Sequence, residues 1–500
     1  MRFHRLTWLA AVVPLCWLFA HSALAGPTDS VTVSLPPEGQ GDAFVPGVRL
    51  VENLAQEYVE EEFFVSGEAT LFNYAHNPPH SPTDIKSMED DVPYTTRLIV
   101  RRPAKASKFN GTVVIEWWNS TAGFDVAPVW DTSAEYFAAN GIIYVGVTNS
   151  TTSLGFLVAG CSTFGGPPSC GTRYSTLSLP ENGLAYEMLS QISTLLKDGD
   201  PANPIPEDYD VARILHAGES QQAGSIVTYA SGFHLDGVND GYFVQAGFGA
   251  RPINFGPACG ADGSPPFPEC TPRLQGSDRL VSTDLPVPVY QMITQTDFEV
   301  FINVFGRQPD TPTFRYYEIA GGAHASVHEN VVLIPGPPPI LLEDLCANQL
   351  NTTADGPIFV SYVLNALWER MQEQIMTGAI PPAGILMDQV NGALVRDAAG
   401  NVMGGVRLPA MEVPTATYGS TNHAADGLPP FLEFFGNLAC RLSGSVFPFD
   451  EVTLDGLYQN HGTYVSQVNE AVNALKEQGL LLQSDAVTIK EQAAQSEFGQ

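Results

Sequence analysis

The sequence predicts an α/β protein: a doubly wound, mostly parallel sheet with helices on both faces. Three observations carry this. Apolar runs of strand length alternate with stretches of helical spacing from residue 111 to residue 319. One such run, ending at Ala217, breaks at Gly218-Glu219-Ser220-Gln221-Gln222 into a segment of helix composition, which puts a serine on the bend. A serine, an acid and a histidine then fall in that chain order, each just past a predicted strand.

Residues 1–25 hold Arg2 and Arg5, an apolar run from Leu6 to Ala20 and then Ala23-Leu24-Ala25, the pattern of a secretory leader cleaved near Ala25. Cys16 follows Leu15, where a lipoprotein cysteine would want a small residue. No later stretch approaches the ~20 apolar residues of a bilayer span, so residues 26–500 are expected to be secreted or periplasmic, without stable membrane insertion.

Residues 26–47, polar and rich in Pro and Gly, read as a surface arm. Extended segments at 57–74 and 94–101 flank the loop 76–82. His76 and His80 lie four apart there, but Pro78, Pro79 and Pro82 forbid a helix that would set both rings on one face, so a plain loop is expected and no metal. Residues 111–119 form a strand, the turn at 119–123 leads into a helix containing Trp130, and 141–147 form the next strand; this spacing makes a parallel pair. A helix over 180–197 aligns Leu184, Met188, Ile192 and Leu195, and strands follow at 213–217, 241–246, 286–294 and 314–319. Residues 326–500 leave the alternation, with a helix over 357–377, a hairpin across 394–406 that turns at 398–401, and a helical end aligning Val465, Val468, Ala471 and Leu475. A lid or appended subdomain is expected there.

Six of the seven cysteines lie beyond the leader, an even number in an exported chain. Six allow fifteen pairings. The sequential one, Cys161 with Cys170, Cys259 with Cys270 and Cys346 with Cys440, is favoured because the first two pairs bracket Gly/Pro-rich loops. No C-x-x-C and no nearby histidine pair supports zinc. With 23 Lys+Arg against 54 Asp+Glu, a formal charge of −31, nucleic acid and anionic membrane are poor partners, and solubility outside the cell accounts for the excess. Four Asn-x-Ser/Thr triplets begin at Asn110, Asn119, Asn149 and Asn351. Three of them abut predicted strands, where a glycan would obstruct packing, so they read as chance matches in a bacterial exported chain.

Ser220 is the candidate nucleophile: Gly218 clears the tight turn, and the new helix aims its N–H groups at an oxyanion forming there. The motif is G-x-S-x-Q, with Gln222 in place of a second glycine, and a strand-to-helix turn with a capping serine is its plain alternative. His324, in a Gly-Gly-Ala-His-Ala loop, is the base, with His328 behind it. Asp297 is the acid, with Glu299 a close competitor and Asp310 farther on. Oxyanion donors would be the backbone N–H of Gln221 and one from the turn after the strand, Ser120, with Asn119 or Thr121 as alternatives. Trp117, Trp118 and Trp130 are either walls of an acyl pocket or core, the commoner fate of such aromatics.

Five segments, 111–119, Ala217-Gly218-Glu219-Ser220-Gln221, Thr294-Gln295-Thr296-Asp297, Ala320-Gly321-Gly322-Ala323-His324-Ala325 and 404–410, resemble a family of α/β-hydrolase-domain proteins with little defined chemistry, many of them exported. The resemblance runs over nearly all of the chain after the leader. It implies an α/β-hydrolase fold with Ser220 as nucleophile and His324 as base, and leaves Asp297 as acid, because relatives commonly carry Thr-Glu-Thr-Asp where Gln295 replaces the first carboxylate. The expected function is an exported serine hydrolase that cleaves small or polymeric carboxylic esters through an acyl-enzyme, with no cofactor. Amide, lactone or polyester cleavage by the same triad, or an inactive fold serving as a binding protein, are the alternatives. Dehalogenases and epoxide hydrolases of this fold would need an aspartate at position 220.

Overall fold

A computed structural model describes residues 31–162, 169–247, 249–254, 270–282, 284–301, 306–325, 332–334, 340–351 and 359–496; the leader, Cys259 and His328 lie outside the described residues. The main sheet is built from β1 (Thr32–Ser34), β2 (Tyr58–Tyr74), β3 (Ile85–Pro103), β4 (Thr112–Trp117), β5 (Ile143–Val147), β6 (Arg213–Glu219), β7 (Gly241–Gln245), β8 (Val289–Thr294) and β9 (Phe314–Ile319). Their order is β1-β2-β3-β5-β4-β6-β7-β8-β9. From β5 to β9 every neighbouring pair is parallel, and the hairpin β2–β3 adds antiparallel strands at one side. The parallel strands are covered on both faces, which is why they read as mostly apolar runs without polar alternation. Their carboxyl ends bring Trp117, Glu219, Thr294 and Ile319 to one side of the sheet, where ligands of open α/β sheets bind.

Sequence and structure differ most at β3, which begins at Ile85 rather than near residue 94. Residues 85–93 are mostly exposed and so polar that no alternation marks them as a strand. The loop before β3 also behaves differently from expectation: without any helix it stacks the His76 and His80 rings at 4.0 Å, with Asp84 3.0 Å from His76 Nδ1. Two histidines thus share one carboxylate at an exposed turn, a juxtaposition that helical spacing was the wrong test for.

Several buried polar groups in and around the sheet are held by specific partners. The Glu116 carboxylate accepts from the N–H groups of Val129 and Trp130 at 2.9 Å each, capping the helix Pro128–Ala139 from the neighbouring strand, and burial pushes this carboxyl up to about 8. Trp117, Trp118 and Trp130 are all in the core, with their indole N–H groups bonded to His216, Tyr144 and the Val48 carbonyl. Arg97 is buried over the Trp118 ring at 5.0 Å and pairs with Asp125 at 2.9 Å and Glu62 at 3.3 Å. Asp125 also accepts from Thr148 at 2.6 Å, so this pair pins the turn at 119–126 that follows β4. Removing one partner leaves a buried charge uncompensated. Asp125→Ala is expected to lower unfolding stability by about 3 kcal/mol in denaturant melts, and an unchanged midpoint would show the pair to be dispensable.

Within 326–500, the helix Val360–Thr377 packs into the main core: Trp368 stacks on Phe243 at 4.3 Å and donates to Ser133 at 3.1 Å. Val406 exchanges hydrogen bonds with Glu318 and Ala320 and so covers the outer edge of β9. The expected hairpin closes at Arg396 and Val402, and Asn391-Gly392 makes a second tight turn just before it. Two disulfides are formed, Cys161–Cys170 and Cys346–Cys440, the second inside a small cluster with Leu342, Leu345 and Leu350. Cys270 is also oxidised, and its expected partner lies outside the described residues. Asn119, Asn149 and Asn351 are buried, which leaves no room for glycans there. Among the described residues no helix is long and apolar enough to cross a membrane.

Candidate active site

Strand β6 ends at Glu219, and Ser220 turns the chain into the helix Gln221–Gly232 with φ 54° and ψ −112°. Such a positive φ is costly for a residue with a Cβ and persists only where the surroundings over-determine it. Here two of them do. The Ser220 N–H is held by the Gln245 carbonyl of β7 at 2.9 Å, and a Cβ on Gly218 would meet the backbone of Gln222 at 2.8 Å, so only glycine lets the strand and helix close on one another. Gln222 is accommodated instead of a second glycine by a small cleft that it shares with Trp117 and Tyr186. As the first helical residue, Gln221 has a backbone N–H with no intrahelical acceptor, and it lies next to the serine.

His324 Nδ1 lies 2.5 Å from Asp297 Oδ1. The other oxygen of Asp297 accepts from the N–H and hydroxyl of Thr294 at 2.7 and 2.8 Å, so the carboxylate is held from both sides. Glu299 turns away to Arg396, Gln295 and Ser420, and Asp310 serves the backbone of Tyr316 and Gly384. The His324 loop is fixed by groups far apart in sequence: Gln295 Oε1 accepts from the Gly321 N–H, Asn351 donates to the Gly321 carbonyl, and the Ala325 N–H reaches Leu442. Gln295 is therefore a loop tie.

The imidazole does not meet Ser220 in this structure. Its Nε2 faces Glu219 Oε1 at 3.2 Å, and among the described residues the Ser220 hydroxyl has no hydrogen-bond partner. Glu219 is the group that sequence reasoning missed; a carboxylate directly before the nucleophile was its only signal. Glu219 also accepts from Asn119 Nδ2 at 3.0 Å. Burial pushes the Glu219 carboxyl up to about 7 against the pull of His324. Burial disfavours charge on His324 as well, but Glu219 and Asp297 together outweigh it and raise the imidazole to about 9.

Of the expected oxyanion donors, the Asn119 backbone N–H is consumed by the Val126 carbonyl at 3.0 Å, and the Thr121 N–H by Asn119 Oδ1 at 2.8 Å. The Asn119 side chain meets Glu219 instead. Ser120 remains: its N–H and hydroxyl both point at Gln221 Oε1, at 3.2 and 3.0 Å.

A strained serine at a strand-to-helix bend, with a His–Asp pair set beyond the two outer parallel strands, defines an α/β-hydrolase fold. The chain belongs to the alpha/beta hydrolase domain family, whose sequence profile matches residues 31–491. No curated protein matches it. Among solved structures it is similar to a candidate dienelactone hydrolase of Klebsiella pneumoniae subsp. pneumoniae MGH 78578, at 11% identity and TM-score 0.24, covering 51% of this chain and 85% of that one. A second is the glucuronoyl esterase of Solibacter usitatus, at 12% identity and TM-score 0.31, covering 59% and 81%. With scores this low, neither likeness bears on what this chain does.

Proposed function

We propose that the chain is an exported serine hydrolase that cleaves carboxylic esters through an acyl-enzyme. The observation that carries this reading is the His324–Asp297 contact of 2.5 Å beside a serine held at φ 54°. Ser220 Oγ bonds to the ester carbonyl carbon while its proton passes to His324 Nε2, and the displaced electron pair rests on an oxyanion facing the Gln221 and Ser120 N–H groups. Gln221 Oε1 marks the acceptor position that this oxyanion takes over. Collapse expels the alkoxide, which leaves with the proton from His324, and water repeats the sequence to free the acid. Export rests on the two disulfides, which persist in oxidising compartments. A fluorophosphonate reagent is expected to attach covalently to the peptide containing Ser220. An unlabelled, folded protein would leave the fold as a binding module.

Glu219 sets the pH range. To accept the serine proton, Nε2 must be neutral and must exchange Glu219 for Ser220. With the imidazole raised to about 9 its base form appears only as pH climbs, so kcat/KM should rise through the alkaline range. Glu219→Gln removes a negative charge, lowers the imidazole pKa and should move that rise roughly 1–3 pH units toward acid, the range for a close carboxylate. An identical profile in the variant would detach Glu219 from His324.

A further inference from the structure

Ser220 opens onto a cavity of about 450 Å³ whose walls carry Arg251, Arg273 and Arg279, with no Asp or Glu lining it among the described residues. This is unexpected in a chain with 54 acidic and 23 basic side chains. Elsewhere, nine of the twelve described arginines form ion pairs with carboxylates. Arg273 and Arg279 are exposed and, among the described residues, have no carboxylate within ion-pair distance. Asp278 neighbours Arg279 in sequence but does not line the cavity.

The cluster is also built rather than incidental. Arg251 NH1 donates to the carbonyl of Gln221, the residue after the nucleophile, at 3.3 Å. Its backbone is bolted to the same helix, the N–H reaching the Gly224 carbonyl at 3.1 Å and the carbonyl accepting from Thr228 at 2.7 Å. Gly224 is small for this purpose, because a Cβ there would stand 2.5 Å from Arg251 Cγ. Arg279 is tied to the same wall through its carbonyl, which accepts from the Ala250 N–H. Burial weighs against the charge on Arg251, Tyr186 offsets part of this, and Arg273 adds like-charge repulsion. Like charges held together beside a reactive hydroxyl are relieved by an anion between them.

We infer that the cavity binds a free carboxylate of the substrate, so that the enzyme selects small esters bearing a second, ionised carboxyl group, such as half-esters of dicarboxylic acids. This rests on the serine-hydrolase reading for its chemistry but not for its binding. Guanidinium forks match carboxylates bidentately, and a local positive site in a strongly negative protein concentrates such substrates at the nucleophile.

The test compares the mono-p-nitrophenyl ester of glutaric acid with p-nitrophenyl valerate, a neutral ester of similar length. The ratio of their kcat/KM values should favour the charged ester by about tenfold or more and fall by about tenfold in Arg273→Gln and further in Arg273→Gln/Arg279→Gln. Both side chains are exposed, so folding is not at stake. Calorimetric titration of free glutarate, against glutaramide as neutral control, should show binding that weakens with salt and is lost in the double variant. Turnover without charge preference, with no glutarate binding, overturns the anion site and spares the hydrolase reading. Glutarate binding with no turnover of either ester keeps the site and rejects the hydrolase. Absence of both rejects both.

Discussion

Replacing Ser220 by alanine is expected to lower kcat for a p-nitrophenyl ester by roughly 10⁶-fold, the scale seen when other serine hydrolases lose their nucleophile. The fold should survive, because the Ser220 hydroxyl bonds to nothing else among the described residues and the bend is held by backbone contacts that alanine retains. Alanine also keeps the Cβ whose φ of 54° the surroundings already enforce. A thermal midpoint within a few degrees of the parent, combined with lost turnover, would isolate the chemistry from the scaffold. Full residual activity would refute the assignment.

Asp297→Asn should cost about 10⁴-fold in kcat, the loss found when a triad carboxylate becomes an amide and the imidazole is left in the wrong tautomer. The geometry explains why the effect should be large here. Thr294 donates twice to Oδ2, so an asparagine at 297 is driven to place its carbonyl there and its NH₂ toward His324 Nδ1. That NH₂ needs an acceptor, so Nδ1 gives up its proton, and Nε2 then carries the hydrogen and cannot accept one from serine. Glu299→Gln is the control: its carboxylate serves Arg396 and Ser420, and the change should leave kcat within a few fold. If Asp297→Asn were harmless while Glu219→Gln abolished turnover, the orienting carboxylate would be Glu219 and the histidine would work through its other nitrogen.

Some of this site was legible before any coordinates. Gly218, the bend at Ser220 and the loop around His324 each announce themselves, because a sharp turn after a buried strand restricts which residues fit. The sequence preferred Asp297 while leaving Glu299 a close competitor, as both follow the same strand; side-chain direction separates them, Asp297 facing His324 and Glu299 facing Arg396. Residues 85–93 escaped as a strand because both faces meet solvent and no apolar alternation remains to be read. The two histidines of the 76–80 loop were judged by helical spacing, although a turn can stack rings that a helix could not.

By itself the sequence determined the alternating α/β architecture and the strand-end placement of Ser220, Asp297 and His324, and it favoured the pairings Cys161–Cys170 and Cys346–Cys440 that the structure forms. Those follow from local rules: the periodicity of burial, the sterics of a tight turn, and the Gly/Pro-rich loop that Cys161 and Cys170 bracket. Only the tertiary structure decided that Glu219 stands on His324, that the Asn119 backbone N–H is taken up by Val126, and that arginines from two separate loops meet beside Ser220. Charge acts through space at distances unrelated to sequence separation, so a chain with a large acidic excess can still gather positive charge around one hydroxyl.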